Sequence, residues 1–325
     1  MKRRLARVCL PIILAAAPPI ARPQNIVAGR AVPSRADRDN ARANFEVDST
    51  LVLVNVAVTD ARGRSVTALS RQDFQVFEGK TAQTIAYFSA EEAPVSVGLV
   101  LDFSGSMVSG FRQLQQAVAE FLKSANPLDE FCLVEFRDRP ELSLGFTSAP
   151  EEIQYHVALT KPAGTTALLD AVHLGLRQMR KARNPRKILL IVSDGGDNHS
   201  RFSAREIENL ARESDVEIYA IGIGGESKDE STGHLELELL KGPALLSELA
   251  EEAGGRYYEI DDARDLPAAA EKIARELRHR YVLGYVPSDR RHDGRYRHIQ
   301  VKIARSPGQP RLSAHWKHGY YAPAD

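Results

Sequence analysis

The stretch Val95-Ser-Val-Gly-Leu-Val-Leu-Asp-Phe-Ser-Gly-Ser-Met107 decides how the rest of the chain is read. Its first half, Val95 to Leu101, is nearly continuous apolar sequence, the pattern of a strand buried on both faces of a parallel sheet. Its second half breaks at once into Asp102, Ser104 and Ser106 on one tight loop. In an open α/β sheet, ligands bind just beyond the carboxyl ends of the strands. A carboxylate and two hydroxyls therefore stand where a ligand site is expected. All are hard oxygen donors, suited to Mg²⁺ rather than to a thiophilic metal. Capping of the helix that follows is the plainer role open to Asp102 and Ser104.

Downstream the same grammar continues. Phe111, Leu114, Val118, Phe121 and Leu122 fall at helical spacing. Phe131–Phe136, Lys187–Ser193, Val216–Gly222 and Arg256–Ile260 read as strands, interleaved with helices over Glu151–Leu159, Ala167–Arg180, Ala204–Arg212, Ala244–Ala253 and Leu266–Arg278. Strands alternating with helices of this length predict an α/β fold, a doubly wound, mostly parallel Rossmann-like sheet covered on both faces. Upstream, Val52, Val54, Val56 and Val58 alternate at the strand period, Asp73–Gly79 reads as a strand ending in a turn, and Thr84–Ser89 as a further strand. Tyr281–Val286, Arg297–Ile303 and Arg311–Trp316 form a second β-rich stretch, with turns at Asp293-Gly294 and Pro307-Gly308. The expected organisation is a leader over 1–28, a linker over 29–44, a β segment over 45–92, the α/β domain over 93–278 and a β segment over 279–325.

Two more loops at matching strand ends carry oxygen donors. Ser193-Asp-Gly-Gly-Asp197 follows a buried strand, and Ala163-Gly-Thr-Thr-Ala-Leu-Leu-Asp-Ala171 opens a helix with a Gly and two hydroxyl residues. With these residues the sequence resembles the von Willebrand factor type A (VWFA) domain, the fold shared with integrin I domains. The matching segments are Asp102-Phe-Ser104-Gly-Ser106, Gly164-Thr-Thr166-Ala-Leu-Leu-Asp-Ala171 and Ser193-Asp194-Gly195. In that family they form the metal-ion-dependent adhesion site (MIDAS). The resemblance implies Asp102, Ser104, Ser106, Thr166 and Asp194 as ligands of Mg²⁺ or Mn²⁺, with Thr165 as the fallback for Thr166. Ala163-Gly164 replaces the family's usual double Gly.

The resemblance covers about Val95 to Arg278. The flanks look familiar too, through Val56-Ala-Val-Thr-Asp-Ala-Arg-Gly63, Asp73-Phe-Gln-Val-Phe-Glu-Gly79, Tyr281-Val-Leu-Gly-Tyr285 and Lys317-His-Gly-Tyr-Tyr321. Together they resemble the secreted bacterial proteins grouped as the acidobacterial VWFA-related family. The two β flanks are expected to pair into one sandwich-like subdomain.

Composition narrows the function. Over 325 residues, 43 Lys and Arg balance 43 Asp and Glu, so there is no basic excess to neutralise a phosphate backbone and nucleic acid is not an expected partner. Two cysteines exclude a disulfide scaffold, and the nine histidines show no metal-ligand spacing. Cys132, inside an apolar strand, reads as a small core residue. Lys2, Arg3, Arg4 and Arg7 followed by the apolar run Val8–Ala17 have the layout of a secretory signal peptide. That run is about half of the ~20 residues a spanning helix needs, so no transmembrane span is expected beyond it. A secreted or periplasmic chain follows, cleaved or tethered at its N-terminus.

Two carboxylates and three hydroxyls leave an octahedral dication incomplete unless water or an outside ligand joins them. A Glu or Asp carboxylate on a protein partner is the completion the resemblance implies, in a binding module that is not an enzyme. Two other classes stand beside it. One is a Mg²⁺-dependent hydrolase in which Asp197 serves as a base, against the plainer reading of Asp197 as a solvated loop acid. The other is a structural scaffold whose metal only stabilises the loops. No nucleophile elbow and no phosphate-binding loop occurs, and Gly222-Ile-Gly224-Gly225 lacks the third Gly of a dinucleotide fingerprint, since Ser227 stands there. Arg290–His292 and Arg295–Arg297 read as a solvated hairpin tip, His315 and His318 as packing around Trp316, and Glu226–Glu238 as a polar surface loop.

Overall fold

The order of strands in the central sheet follows from which sequences are apolar on both faces. The computed structural model describes residues 51–90, 92–194, 196–224, 241–304 and 311–324. The expected leader and linker, the acidic loop after Gly224 and the Pro307-Gly308 turn lie outside these residues. The chain runs through β1 (Val52–Thr59), β2 (Phe74–Glu78), β3 (Thr81–Gln83), β4 (Ile85–Ser89), β5 (Val95–Asp102), α1 (Phe111–Leu122), β6 (Glu130–Phe136), β7 (Pro140–Thr147), α2 (Pro150–Leu159) and α3 (Leu168–Met179). It continues through β8 (Arg186–Ser193), α4 (Ala204–Glu213), β9 (Val216–Ile223), α5 (Lys241–Glu252), β10 (Arg256–Ile260), α6 (Leu266–Arg278), β11 (Tyr281–Tyr285), β12 (Tyr296–Ile303), β13 (Ser313–Trp316) and β14 (Gly319–Tyr321).

The central sheet has the order β10-β9-β8-β5-β6-β7, parallel except for β7, which pairs antiparallel with β6 at one edge. Every residue of β5, β6 and β9 is buried, as double coverage requires. Alternate side chains divide between two cores. Val97, Leu99 and Leu101 pack with Leu114 and Val118 of α1, Ile153 of α2 and Ile273 of α6. Val100 and Ile191 pack on the other face with Leu168, Val172 and Leu176 of α3, Ile207 of α4 and Leu249 of α5. Gly98 lacks a side chain for a reason of space: a Cβ there would lie 2.8 Å from Leu189 Cδ1 and 3.0 Å from Met179 Sδ.

The flanks form two antiparallel sheets, β13-β1-β11-β4 and β14-β12-β2-β3, so N-terminal and C-terminal strands interleave within each. β11 lies between β1 and β4, and β12 beside β2. The two sheets share one core of Val54, Val56, Phe74, Val76, Tyr281, Leu283, Ile299 and Val301, which makes them the expected sandwich. Within it the buried Glu78 accepts hydroxyls from Tyr285 at 2.9 Å and Tyr320 at 3.1 Å. At the junction with the α/β part, the buried Arg280 pairs with Glu217 of β9 at 2.7 Å, and Asn55 of β1 donates to the same carboxylate at 3.0 Å. The sequence left three strands unread: β3, β14 and the half-exposed edge strand β7. No helix among the described residues is long and apolar enough to cross a membrane.

Candidate metal centre

Two loops leave the carboxyl ends of β5 and β8, whereas the one expected at a third strand end runs instead between α2 and α3, and the three are stitched to one another through the backbone. Gly105 donates its N–H to Gly164 O at 3.0 Å, Ala163 to Phe103 O at 2.8 Å, and both Asn198 and His199 to Thr166 O at 3.1 Å. The first loop thereby meets the second and the second meets the third. Gly164 sits at φ +89°, in the left-handed region, and a Cβ there would strike the Asp138 carboxylate at 2.7 Å.

Asp102 ends β5 with no solvent exposure. One carboxylate oxygen accepts the Ser104 N–H at 2.9 Å and the other the Ser193 hydroxyl at 2.6 Å. Ser104 and Ser106 place their hydroxyl oxygens 2.9 Å apart. Asp194, at the end of β8, is only partly exposed. Burial, and then the repulsion of Asp194, push the Asp102 pKa up to about 6. Among the described residues no Lys, Arg or His forms an ion pair with either carboxylate.

The two threonines of the second loop part company. Thr165 is exposed, and both its N–H and its hydroxyl go to Asp138, at 2.6 and 2.7 Å. Thr166 is buried, its N–H bound by Asn198 Oδ1 at 3.1 Å, and its hydroxyl has no partner among the described residues. Gly195 lies outside those residues, whereas Asp102, Ser104, Ser106, Thr166 and Asp194 all belong to the three stitched loops.

The donor set suits a hard divalent cation. It offers two like-charged carboxylates, one wholly buried, with hydroxyls beside them and no cationic side chain to balance them. No group of three or more His, Cys, Asp or Glu able to hold a metal occurs among the described residues, so any ion here depends on hydroxyl oxygens.

Asp197 corrects the reading of a solvated loop acid. It is half-buried and receives the amides of Ser200, at 3.3 Å, His199 and Leu168, so it caps the start of α3 and pins the third loop. Burial raises its pKa, the amides working against that rise. Asp170 of α3 completes the clamp by accepting the N–H groups of Arg201 at 2.9 Å and Phe202 at 3.1 Å and the Arg201 guanidinium at 3.0 Å. Asp138 and Asn198 were missed in the sequence because their partners stand tens of residues away, and Ser193, part of the third matching segment, bonds an Asp102 that lies 91 residues off. Gly222 lies within β9 against the Tyr257 ring and not in a cofactor loop. Arg291 and Arg297 pair with Asp289 and Asp293, and His318 packs edge-on to Trp316.

Residues 97–196 match the von Willebrand factor type A domain family. Among curated proteins, the chain is 28% identical over 138 residues to Cuticlin-6 of Caenorhabditis elegans, covering 40% of this chain and 24% of that one. It is 24% identical over 168 residues to inter-alpha-trypsin inhibitor heavy chain H2 of Sus scrofa, covering 47% and 18%. The chain thus spans less than a third of the length of the curated relatives it matches. Among solved structures it is similar to proximal thread matrix protein 1 from the mussel byssus, with TM-score 0.49 and 16% identity over 70% of this chain and 50% of that one. It is also similar to the vWF domain of the type V pili tip protein Mfa5 from Porphyromonas gingivalis, with TM-score 0.46 and 14% identity over 58% and 96%.

Proposed function

We propose, from the premise that this chain carries a von Willebrand factor type A domain, that it is an extracytoplasmic, non-enzymatic binding protein that grips a partner through a bound dication. Domains of this type often mediate protein–protein adhesion. Asp102, Ser104, Ser106, Thr166 and Asp194 would hold Mg²⁺ or Mn²⁺, which when bound supplies a positive centre able to accept a Glu or Asp carboxylate from the partner.

One observation carries this reading. The buried Asp102 carboxylate faces Asp194 without any cationic side chain, in a cluster otherwise made of hydroxyls. The chain's own groups do the holding. Ser193 and the Ser104 amide fix the Asp102 carboxylate, while Asn198 and His199 fix the Thr166 peptide. The capping role of Asp197 argues against a hydrolase, because its oxygens are engaged by backbone amides. The extracytoplasmic location rests on the basic-then-apolar order of Lys2–Ala17.

Calorimetric titration of the chain with Mg²⁺ and with Mn²⁺ tests the proposal beside Asp102→Ala and Asp194→Ala. One saturable site, lost in both variants, is expected, with no turnover of p-nitrophenyl phosphate in the loaded wild type. Absence of a site in the wild type overturns the proposal, and turnover abolished by Asp102→Ala would replace it with the hydrolase.

A further inference from the structure

We infer that the crevice between the outer face of the β13-β1-β11-β4 sheet and the amino ends of β8 and β9 binds a small amphipathic anion, a carboxylate carried on an apolar chain. The crevice lies at the opposite end of the central strands from the three loops and is independent of them. It encloses about 570 Å³, within the ~300–1,000 Å³ typical of small-ligand sites.

Its wall is apolar where a solvent-facing sheet should be polar. Along β1, Val52 and Val54 point into the sandwich core, which turns Leu51 and Leu53 outward, 42% and 55% exposed. Register places Leu53 opposite Gly284 and Gly284 opposite Tyr87, which is 47% exposed, so one row across three strands presents Leu, Gly and Tyr. Gly284 leaves the hollow: a Cβ there would lie 2.8 Å from Tyr87 and 3.2 Å from Leu53. Contiguous bulky apolar groups held in the open mark a binding surface rather than chance exposure.

Its floor carries two cations that no carboxylate pairs with. Arg186, at the start of β8, is 5% exposed and donates only to main-chain carbonyls, Leu277 O at 2.7 Å and Ala93 O at 3.4 Å, while its Nε has no hydrogen-bond partner. Burial, and then the neighbouring Arg280, push its pKa down to about 10 against the longer-range attraction of Glu217. Lys317, also lining the crevice, bonds the Ser214 carbonyl, and burial lowers its pKa. Of the acids lining the crevice, Glu217 pairs with Arg280 and accepts from Asn55, Asp215 pairs with Lys187 at 2.8 Å, and both attract Lys317 only from beyond ion-pair distance. Glu213 is exposed at the rim. A buried charge without a counter-ion is costly, and an incoming carboxylate relieves that cost while its chain covers Leu51, Leu53 and Tyr87.

The test is calorimetric titration of the full chain with decanoate below its micellar concentration, beside 1-decanol, which has the same chain length and no charge. One-site decanoate binding is expected, with decanol at least about tenfold weaker because it leaves Arg186 unpaired. Leu53→Asp, at a half-exposed position, should keep the melting temperature and lose decanoate at least about tenfold by setting a like charge in the wall. Arg186→Gln should weaken decanoate and not decanol; if that variant fails to fold, decanol and Leu53→Asp decide alone. The inference falls if the wild type shows no saturable decanoate site, if decanol binds equally well, or if Leu53→Asp binds decanoate unchanged.

Discussion

A single carboxylate oxygen of Asp138 accepts both the N–H and the hydroxyl of Thr165, at 2.6 and 2.7 Å. Asp138 belongs to the β6–β7 turn and Thr165 to the second loop, so the contact closes one loop against another. It also occupies the hydroxyl of one of two adjacent threonines and leaves the hydroxyl of the other, the largely buried Thr166, available.

Thr165→Val and Thr166→Val should therefore behave differently. Thr166→Val is expected to weaken Mg²⁺ by at least about tenfold, because a methyl cannot donate an oxygen to a hard cation. Thr165→Val should leave the affinity within about threefold, since it removes a loop contact and not a ligand. Mg²⁺ titration of both variants measures this directly, and a loss confined to Thr165→Val would make Thr165 the ligand instead.

Asp138→Ala should act on the same loop from a distance. It releases Thr165 and opens space beside Gly164, whose φ of +89° the Asp138 carboxylate abuts. The expected result is weaker Mg²⁺ binding with the stoichiometry unchanged, and amide exchange at residues 163–166 should rise. A variant with wild-type exchange there would show that the Phe103–Ala163 and Gly105–Gly164 contacts hold the loop unaided.

How much of this was legible in the sequence depended on whether a signal was local. β5 announces itself because seven of its residues in succession can face only protein, and α6 begins and ends where Leu266 and Arg278 were read. β7 was not legible. As an antiparallel edge with half-exposed residues it has neither the continuous apolar run of β5 nor a clean alternation. Among the site residues, Asp102, Ser104 and Ser106 share one loop and could be read together. Asp138 and Asn198 take their roles from Thr165 and Thr166 across 27 and 32 residues of sequence, and no spacing rule links them. Gly254, at φ +76° just past α5, takes the left-handed turn that ends a helix, but that does not account for Gly255.

Gly255 has its own reason. A Cβ there would lie 1.9 Å from the Ile218 carbonyl oxygen, main chain that cannot swing aside. Gly255→Ala is expected to destabilise the fold by ~3 kcal/mol or more, at or above the upper end of ordinary overpacking. Gly145→Ala, in β7, meets nothing within 4 Å and should be close to neutral. Urea denaturation of the two variants compares them, and a mild effect at Gly255 would mean that β9 and the turn before β10 can separate.

Asp170 gives a pH-dependent prediction. Burial alone would raise its pKa, but the amides of Arg201 and Phe202 and the Arg201 guanidinium outweigh that and hold it below the ordinary 3.8. A depressed carboxyl pKa contributes stability above the unfolded value and loses it as pH falls through the folded value. Asp170→Asn should therefore cost ~1–3 kcal/mol at neutral pH, as buried donors lose a charged acceptor. The gap to wild type should be constant from pH 7 to about 5 and close below about 3.8. Urea midpoints across pH measure it, and a gap independent of pH down to 3 would rule out the carboxylate's charge as the cause.

Asp102 and Asp194 repel one another in the metal-free protein, and Asp102 has no solvent to screen it. Removing one charge should therefore reverse the order of stability between two conditions. In EDTA, Asp102→Asn is expected to melt at or above the wild type, because it abolishes the repulsion and keeps an oxygen able to accept the Ser104 amide or the Ser193 hydroxyl. At Mg²⁺ a hundredfold over its dissociation constant, the wild type should gain ~2.7 kcal/mol by mass action. The variant, with its metal affinity lost, should gain almost nothing and fall below the wild type. Thermal melts of both proteins in the two buffers decide the matter. If the wild type melts identically in EDTA and in Mg²⁺, the acid pair at the ends of β5 and β8 serves something other than a dication.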